Sequence, residues 1–175
     1  MIRKLCQMGW VLCLFATIGF SSTYDFSSSG SLNLTDGEWT LLKSGSYWNT
    51  IYESTLSEHQ CHFKNKFDGE TYPNRGAYVW TVPVGEVITK ITFYGEVAGY
   101  LNTFNAAVFT SSEPSADITT YDIAWSKISS GAGPWWGESN ALAFDAENEI
   151  STIGVGFYDT SSDQMHQVRF SNIVI

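Results

Sequence analysis

The sequence predicts an all-β protein, a sandwich or barrel of about eight to ten short antiparallel strands. Two observations predict this fold class. After residue 21 no stretch keeps the helical period of apolar residues, whereas many short runs alternate between apolar and polar residues. Clusters rich in Gly, Asn, Asp and Ser separate these runs, as turns do between strands.

The clearest strand pattern lies between Ala77 and Val97 (AYVWTVPVGEVITKITFYGEV). Apolar residues alternate along both halves of this stretch, with Trp80 in the first half and Phe93 in the second. Pro83 lacks a donor for the ladder and ends the first strand, and Gly85 permits the backbone to reverse. The stretch therefore predicts a central pair of strands joined by a short turn, with both aromatic rings in the core.

The other strand candidates are short runs, most of which are followed by turn residues. In chain order they are Trp39–Lys43, His59–Phe67, Asn105–Ser111, Tyr121–Ser126, Ala141–Phe144, Ile150–Asp159 and Gln167–Ile175. In the fourth of these, Tyr121, Ile123 and Trp125 alternate with polar or small residues, which predicts one half-buried face with Trp125 in the core. No internal repeat or linker interrupts residues 22–175, so they are predicted to form a single domain.

Residues 1–21 are predicted to be a secretory signal peptide that is removed. Arg3 and Lys4 form a basic start, Leu5–Phe20 is apolar, and small polar residues follow the apolar run, with Ser21 before the expected cut. The apolar run has 16 residues, whereas a membrane-spanning helix needs roughly 20. We therefore expect an extracellular or periplasmic domain with no membrane span after the signal peptide is removed.

Charge and cysteine content fit an exported domain. Without Arg3 and Lys4 the chain has 7 basic and 18 acidic residues, a formal net charge of −11. This charge disfavours nucleic acid and anionic membrane surfaces as partners, because binding phosphate needs clustered Lys and Arg. Cys6 and Cys13 leave with the signal peptide, so Cys61 has no partner for an intramolecular disulfide. Stability must then come from the core or from a bound ion.

The order of strands and turns from Ala77 to Ile175 resembles a known fold family. The segments that carry the resemblance are AYVWTVPVGEVITKITFYGEV, NAAVFTSSEPS, TYDIAWSKI and ISTIGVGFYDTSSDQMHQVRFSNIVI. Together they resemble galactose-binding-like jelly rolls, the β-sandwiches of the discoidin and carbohydrate-binding-module type. The resemblance implies a jelly-roll β-sandwich that binds carbohydrate without catalysis and requires no cofactor.

Aromatic residues in loops are the predicted platforms for such a ligand. A sugar stacks its C–H face on an aromatic ring while nearby polar groups bind its hydroxyls. Trp135 and Trp136 lie in a stretch rich in Gly, and Tyr47 and Trp48 lie in a Ser-Gly-Ser turn. All four are candidate ligand-binding residues. The alternative is that a ring of each pair folds back and plugs the end of the sandwich.

Asn74 and Arg75, between Pro73 and Gly76, are candidate polar contacts to the same ligand. An Arg guanidinium binds a carboxylate, such as that of a uronic acid, through two parallel hydrogen bonds. The alternative is a solvated loop with a surface salt bridge. Because the domain is negatively charged, a neutral glycan is predicted rather than an acidic one.

Acidic residues give one metal hypothesis. Asp145, Glu147 and Glu149 alternate, so on an extended backbone their carboxylates would project from one side. They would either hold a structural calcium ion or form an acidic turn in water. A zinc site at His59, Cys61 and His62 is rejected, because in a strand the last of these faces away from the other two.

Catalysis is not expected, because the sequence offers neither a pair of carboxylates placed for glycoside hydrolysis nor a nucleophile elbow. The main prediction is a secreted, lectin-like domain that binds a neutral glycan. One alternative is a structural or interaction protein, such as a surface-layer, fibre or adhesin subunit that self-associates through its aromatic loops. The other is a small polysaccharide-degrading enzyme.

Overall fold

The computed structural model describes residues 22–26, 39–44, 60–65, 74–98, 104–128, 136–159 and 166–175. This part of the chain contains nine strands and two short 3₁₀ turns, at Ile118–Thr120 and Ala146–Asn148. The strands are β1 (Trp39–Lys43), β2 (Gln60–Asn65), β3 (Asn74–Thr81), β4 (Lys90–Ala98), β5 (Phe104–Ser111), β6 (Asp122–Ile128), β7 (Trp136–Ala143), β8 (Thr152–Asp159) and β9 (His166–Val174). No helix among these residues is both long and apolar enough to cross a membrane.

The strands form two antiparallel sheets. A five-stranded sheet has the order β1-β3-β8-β5-β6, and a four-stranded sheet has the order β2-β9-β4-β7. Strands β2 to β9 therefore follow the connectivity of a jelly roll, with β1 added at the edge beside β3. The predicted jelly-roll β-sandwich is confirmed, and the nine described strands agree with the predicted number.

The predicted central pair of strands is wrong in one respect, because β3 and β4 lie in different sheets. The turn between them forms as expected: the Glu86 N–H donates to the Pro83 carbonyl over 3.0 Å, and Gly85 has a φ of 92°. The chain then crosses between the sheets. The Ile88 N–H donates to the carbonyl of Ile150, at 2.7 Å, and not to β3.

The main core lies between the two sheets. It includes Trp80 (4% exposed) and Phe93 (2% exposed), with the half-buried Trp125 packed against it. The Phe93 and Trp125 ring centroids are 5.0 Å apart in an edge-to-face arrangement, and the Phe170 centroid is 5.8 Å from that of Phe93. The predicted core positions of Trp80, Phe93 and Trp125 are confirmed.

The predicted shared face of Tyr121, Ile123 and Trp125 is wrong, because β6 contains a bulge. Trp125 pairs with Val108, while Ile123 pairs with the next residue, Phe109, so that two steps on β6 match one step on β5. A bulge moves the following residues to the other side of the sheet. Trp125 therefore packs into the main core, while Ile123 is 37% exposed.

A second, smaller core covers the outer face of the five-stranded sheet. Its buried members are Ala77, Val79, Ala107, Phe109, Ile118 and Tyr121. The last two belong to a segment, Ile118–Tyr121, that crosses this face after β5 and that we call the strap. β3 and β5 therefore have buried apolar residues on both sides, with one side in the main core and the other beneath the strap.

The N-terminal segment Ser22–Phe26 pairs with the C-terminal end of β9. The Tyr24 N–H donates to the Ile175 carbonyl over 2.7 Å, and the Ile175 N–H donates to the Tyr24 carbonyl over 2.9 Å. The Phe26 ring packs 5.5 Å from that of Trp80 and 5.2 Å from that of Trp39. The N-terminal segment is therefore bonded to the end of β9 and packs against Trp39 and Trp80.

Candidate functional site

The outer face of the four-stranded sheet is built from the residues of β4 that alternate with its core residues. Ile91, Phe93 and Val97 are buried, and directly opposed residues on neighbouring strands share a face. We call the opposite side the polar face. The described residues on it are Lys90, Thr92, Tyr94, Glu96, Gly137, Ser139, Ala141, Ala143, Gln167, Arg169, Ser171 and Val174. Small residues line β7, so the larger side chains of β4 and β9 project above it.

Tyr94 lies across this face toward β7. A Cβ atom added at Gly137 would overlap the Tyr94 hydroxyl and lie 2.7 Å from its Cζ atom. The end of the ring therefore occupies the space that a side chain at position 137 would fill. It follows that the ring lies along the sheet and does not stand up from it. A half-buried ring in this position offers a flat aromatic surface to a ligand.

Glu96 and Arg169 form an ion pair beside this ring. Arg169 Nη1 and Glu96 Oε2 are 3.9 Å apart, and the two side chains are 30% and 20% exposed. This distance is longer than a hydrogen bond, and a carboxylate has about four acceptor positions. The pair therefore places an acceptor group and a donor group next to an aromatic surface, which suits hydroxyl groups on a ligand.

A cavity of about 600 Å³ opens at the end of the sheet where β4 begins. Its lining includes Thr92 from the polar face and Trp80 from the main core. One wall comes from the N-terminal segment, where the Tyr24 hydroxyl donates to Glu86 Oε2 over 2.9 Å. The Tyr24 and Trp80 ring centroids are 4.8 Å apart. The cavity thus combines aromatic surface with a carboxylate, and the basic residue Lys90 also lines it.

Most of the predicted loop aromatics lie outside the described residues: Tyr47, Trp48 and Trp135. Trp136 was also predicted to lie in a loop, and that placement is wrong. Its backbone begins β7 and pairs with Val97, because the ladder with β4 extends further than the Gly-rich sequence indicated. A role for these aromatics in binding remains a prediction.

The predicted loop position of Asn74 and Arg75 is also wrong, because both residues begin β3. Arg75 lies on the outer face of the five-stranded sheet, on the opposite side of the domain from the polar face. Its Nη1 donates to the carbonyls of Tyr121, at 2.9 Å, and Thr119, at 3.4 Å. Its guanidinium lies 5.9 Å from the Phe109 ring centroid. These contacts hold the strap on the sheet, and a ligand contact by either residue remains a prediction.

The geometric premise of the calcium hypothesis is wrong. Asp145, Glu147 and Glu149 are exposed, but a 3₁₀ turn at Ala146–Asn148 and a left-handed φ of 49° at Glu149 replace the extended backbone. In the part of the chain that is described, no three His, Cys, Asp or Glu side chains form a group that could hold a metal ion. A structural calcium ion remains a prediction without a described site.

Tyr94, Glu96 and Arg169 were not predicted from the sequence, although a signal for two of them was present. The apolar side of β4 predicted the core, whereas no role was assigned to the other side of the same strand, Thr92, Tyr94 and Glu96. An aromatic residue on the polar side of an amphipathic strand is a recognisable signal for a surface site. Arg169 could not be placed without the pairing of β9 with β4.

No protein family model and no curated protein matches the chain. Solved structures with a similar fold include the K3 cleaved adhesin domain of Lys-gingipain from Porphyromonas gingivalis W83, with a TM-score of 0.49 and 14% identity over 87% of this chain and 96% of that chain. The xylan-binding module CBM15 has a TM-score of 0.45 and 12% identity over 86% of this chain and 96% of that one. A structure described as a carbohydrate-binding module of the β-sandwich superfamily has a TM-score of 0.48 and 11% identity, covering 81% and 58% of the two chains.

Proposed function

We propose that this protein is an exported, non-catalytic domain that binds a neutral glycan across the polar face of its four-stranded sheet. The observation that carries the proposal is the Tyr94 ring, which lies along the sheet over Gly137 and beside the Glu96–Arg169 pair. Export is part of the proposal, and it is supported by the basic start and the apolar run within residues 1–21.

The arrangement meets the two requirements for binding a sugar from water. A pyranose ring presents C–H groups on its face, which stack on an aromatic ring, and hydroxyls at its rim, which need donors and acceptors. Tyr94 supplies the aromatic surface, while Glu96 and Arg169 supply an acceptor and a donor at its edge. Because strands hold all three residues, the site is largely formed before a ligand arrives, which lowers the entropic cost of binding.

Binding without reaction fits the charges of this face. Glycoside hydrolysis uses two carboxyl groups on either side of the bond that is cleaved. Among the described residues of the polar face, Glu96 is the one carboxylate, and it pairs with Arg169. The proposal therefore assigns Glu96 to ligand binding and assigns no residue to proton transfer.

The test is a binding panel with purified protein and four soluble neutral polysaccharides: arabinoxylan, galactomannan, mixed-linkage β-glucan and pullulan. Affinity electrophoresis or calorimetry measures binding of the unmodified protein and of Tyr94→Ala. We expect at least one polysaccharide to bind and Tyr94→Ala to weaken that binding at least about tenfold, because it removes the central aromatic contact.

Tyr158→Ala is the matched control. Tyr158 is a half-buried tyrosine that packs on the second core, so its loss should leave the affinity unchanged. A second comparison is the double variant Trp135→Ala with Trp136→Ala. If this variant loses binding while Tyr94→Ala keeps it, the site lies in the aromatic loop and the polar face is the wrong location. If none of the four polysaccharides binds the folded protein, the glycan proposal is wrong and self-association, measured by sizing, becomes the leading function.

A further inference from the structure

We infer that the site recognises the end of a glycan chain, with the terminal residue in the cavity beside Trp80 and the preceding residues along the polar face. This inference rests on the proposed function and deepens it. It depends on three features: the cavity continues the polar face, its two walls are bonded together, and its lining contains groups that can bind the hydroxyls of a terminal sugar.

The cavity and the aromatic surface are parts of one track along β4. Lys90, Thr92 and Tyr94 share a side of this strand, and residues two apart lie roughly 7 Å from each other. Lys90 and Thr92 line the cavity, and Tyr94 is the next residue of the track. A linear ligand stacked on Tyr94 and aligned with β4 therefore reaches the cavity without leaving the surface.

The far side of the cavity is built from two walls that are bonded to each other. One wall is the N-terminal segment, Ser22–Tyr24, which is fixed to β9 by the hydrogen bonds between Tyr24 and Ile175. The other is the connection from Gly85 to Thr89. The hydrogen bond from the Tyr24 hydroxyl to Glu86 joins them. A chain that enters from the polar face meets this joined wall, so the track ends there.

The lining of the cavity favours a terminal residue. A sugar at a chain end has a free hydroxyl where an internal residue carries a glycosidic bond. Glu86 accepts one hydrogen bond from Tyr24, and a carboxylate has about four acceptor positions, so it can also accept from a ligand hydroxyl. Lys90, whose ammonium group is a hydrogen-bond donor, lines the same cavity. Its volume of about 600 Å³ is in the usual range for small-ligand pockets.

The test compares intact and shortened chains of whichever polysaccharide in the panel binds through Tyr94. The intact polymer and its partial hydrolysate are titrated separately into the protein at equal mass concentrations, and calorimetry gives the number of binding sites per gram of each. We expect the hydrolysate to provide more binding sites per gram, in proportion to its number of chain ends. We expect the affinity for the hydrolysate to fall at least about tenfold in Glu86→Gln and in Tyr24→Phe. Each variant removes a polar group of the cavity, and a site that binds a hydroxyl through hydrogen bonds loses much of its affinity when one of those bonds is removed.

Glu113→Gln is the matched control, since Glu113 is an exposed carboxylate in the turn after β5 and is not among the residues that line the cavity. If the number of sites per gram is the same for polymer and hydrolysate, while Tyr94→Ala still abolishes binding, the chain-end inference is wrong and the proposed function stands. The same conclusion follows if the Glu86 and Tyr24 variants bind the hydrolysate as the unmodified protein does. If Tyr94→Ala changes nothing, both proposals are wrong.

Discussion

The outer faces of the two sheets differ, because one is apolar and covered by the strap while the other is polar. The outer face of the five-stranded sheet carries Phe109 and Val79 and is covered by the strap, whose Ile118 is fully buried. The outer face of the four-stranded sheet carries Tyr94, Glu96 and Arg169, all of which are half-buried. The comparison teaches that one face of a jelly roll can be covered for stability while the other keeps polar side chains, the side chains that our proposal assigns to binding.

One glycine in each sheet shows the same difference in how closely its surroundings are packed. A Cβ atom at Gly156, in the covered sheet, would overlap the backbone carbonyl oxygen of Gly76 and lie 2.6 Å from the Ala77 Cα. A Cβ atom at Gly137, on the polar face, would meet side-chain atoms of Tyr94 and Glu96. Backbone in the middle of a sheet cannot move aside, whereas the ends of long side chains can.

The largest expected effect comes from this pair of glycines. Gly156→Ala should prevent folding to a stable domain, because its Cβ atom has no room unless β3 and β8 separate. Gly137→Ala should fold with a Tm within a few degrees of the unmodified protein, while the Tyr94 ring moves and glycan binding weakens. Circular dichroism during heating measures the Tm of both variants. A stable Gly156→Ala protein with an unchanged Tm would contradict the assigned strand packing.

The second effect compares one aromatic residue from each outer face. Phe109→Ala should lower the free energy of unfolding by about 3–5 kcal/mol, because it opens a cavity in the second core beneath the strap. Tyr94→Ala should lower it by less than about 1 kcal/mol, because Tyr94 lies outside both cores. Urea unfolding measures the two values. Equal losses would mean that the polar face is as important for stability as the covered one.

The strap should loosen when Arg75 is replaced. Arg75→Met keeps the length of the side chain but removes the donors to the Thr119 and Tyr121 carbonyls, at a cost of roughly 1–3 kcal/mol in the free energy of unfolding. Glycan binding should not change, since Arg75 and Tyr94 lie on opposite faces of the sandwich. Lys90→Met is the control for the effect of losing a positive charge on stability alone, with an expected cost below about 0.5 kcal/mol, because Lys90 lines the proposed binding cavity. Loss of glycan binding in Arg75→Met would show that Arg75 contributes to the binding site, as the sequence predicted.

A smaller effect depends on pH and comes from Asp117, just before the strap. The Thr119 hydroxyl and N–H both donate to its Oδ1, at 2.7 and 2.9 Å, and with the nearby Arg75 charge they lower the pKa of this carboxyl below the usual 3.8. A carboxylate whose pKa is lowered by folding stabilises the protein above the usual pKa, and this stabilisation is lost as the pH falls through the folded value. The Tm difference between the unmodified protein and Asp117→Ala should therefore be constant above about pH 5 and narrow in more acid solution. A difference independent of pH would contradict the assignment.

The smallest expected effect is that of a chelator. If Asp145, Glu147 and Glu149 are the only candidate ligands, EDTA should leave the Tm unchanged, because they lie in and around a 3₁₀ turn and form no metal-binding group among the described residues. The same scan with added calcium chloride completes the test. A rise in Tm with calcium that EDTA reverses would show a structural ion at a site outside the described residues or at a rearranged acidic turn.

The sequence predicted the strands well because their signals are local. Alternation in β3 and β4 placed Trp80 and Phe93 in the core, and Pro83 and Gly85 marked the turn between the two strands. Pairing between strands is not local. One of the two partners of β3 is β8, which lies more than 70 residues further along the chain, and no short pattern in either strand indicates this contact.

The site was harder to predict than the fold for the same reason. Gly137 and Tyr94 are over 40 residues apart, so the small residue that gives the ring its place could be recognised only from the ladder between β4 and β7. The bulge in β6 likewise depends on its pairing with β5. Composition favoured loops as the place for exposed aromatic rings, whereas the structure puts an accessible ring in the middle of a strand.

The pairing of Tyr24 with Ile175 brings the two ends of the described chain to one place, with backbone contacts of 2.7 and 2.9 Å. Domains with adjacent ends tolerate circular permutation and insertion into other proteins. A short linker between residues 175 and 22 would therefore permit new ends in the exposed turn at Ser112–Pro114. In such a permuted protein the N-terminal wall of the cavity would be internal to the chain, and the domain could be carried as a cassette within a loop of a larger host.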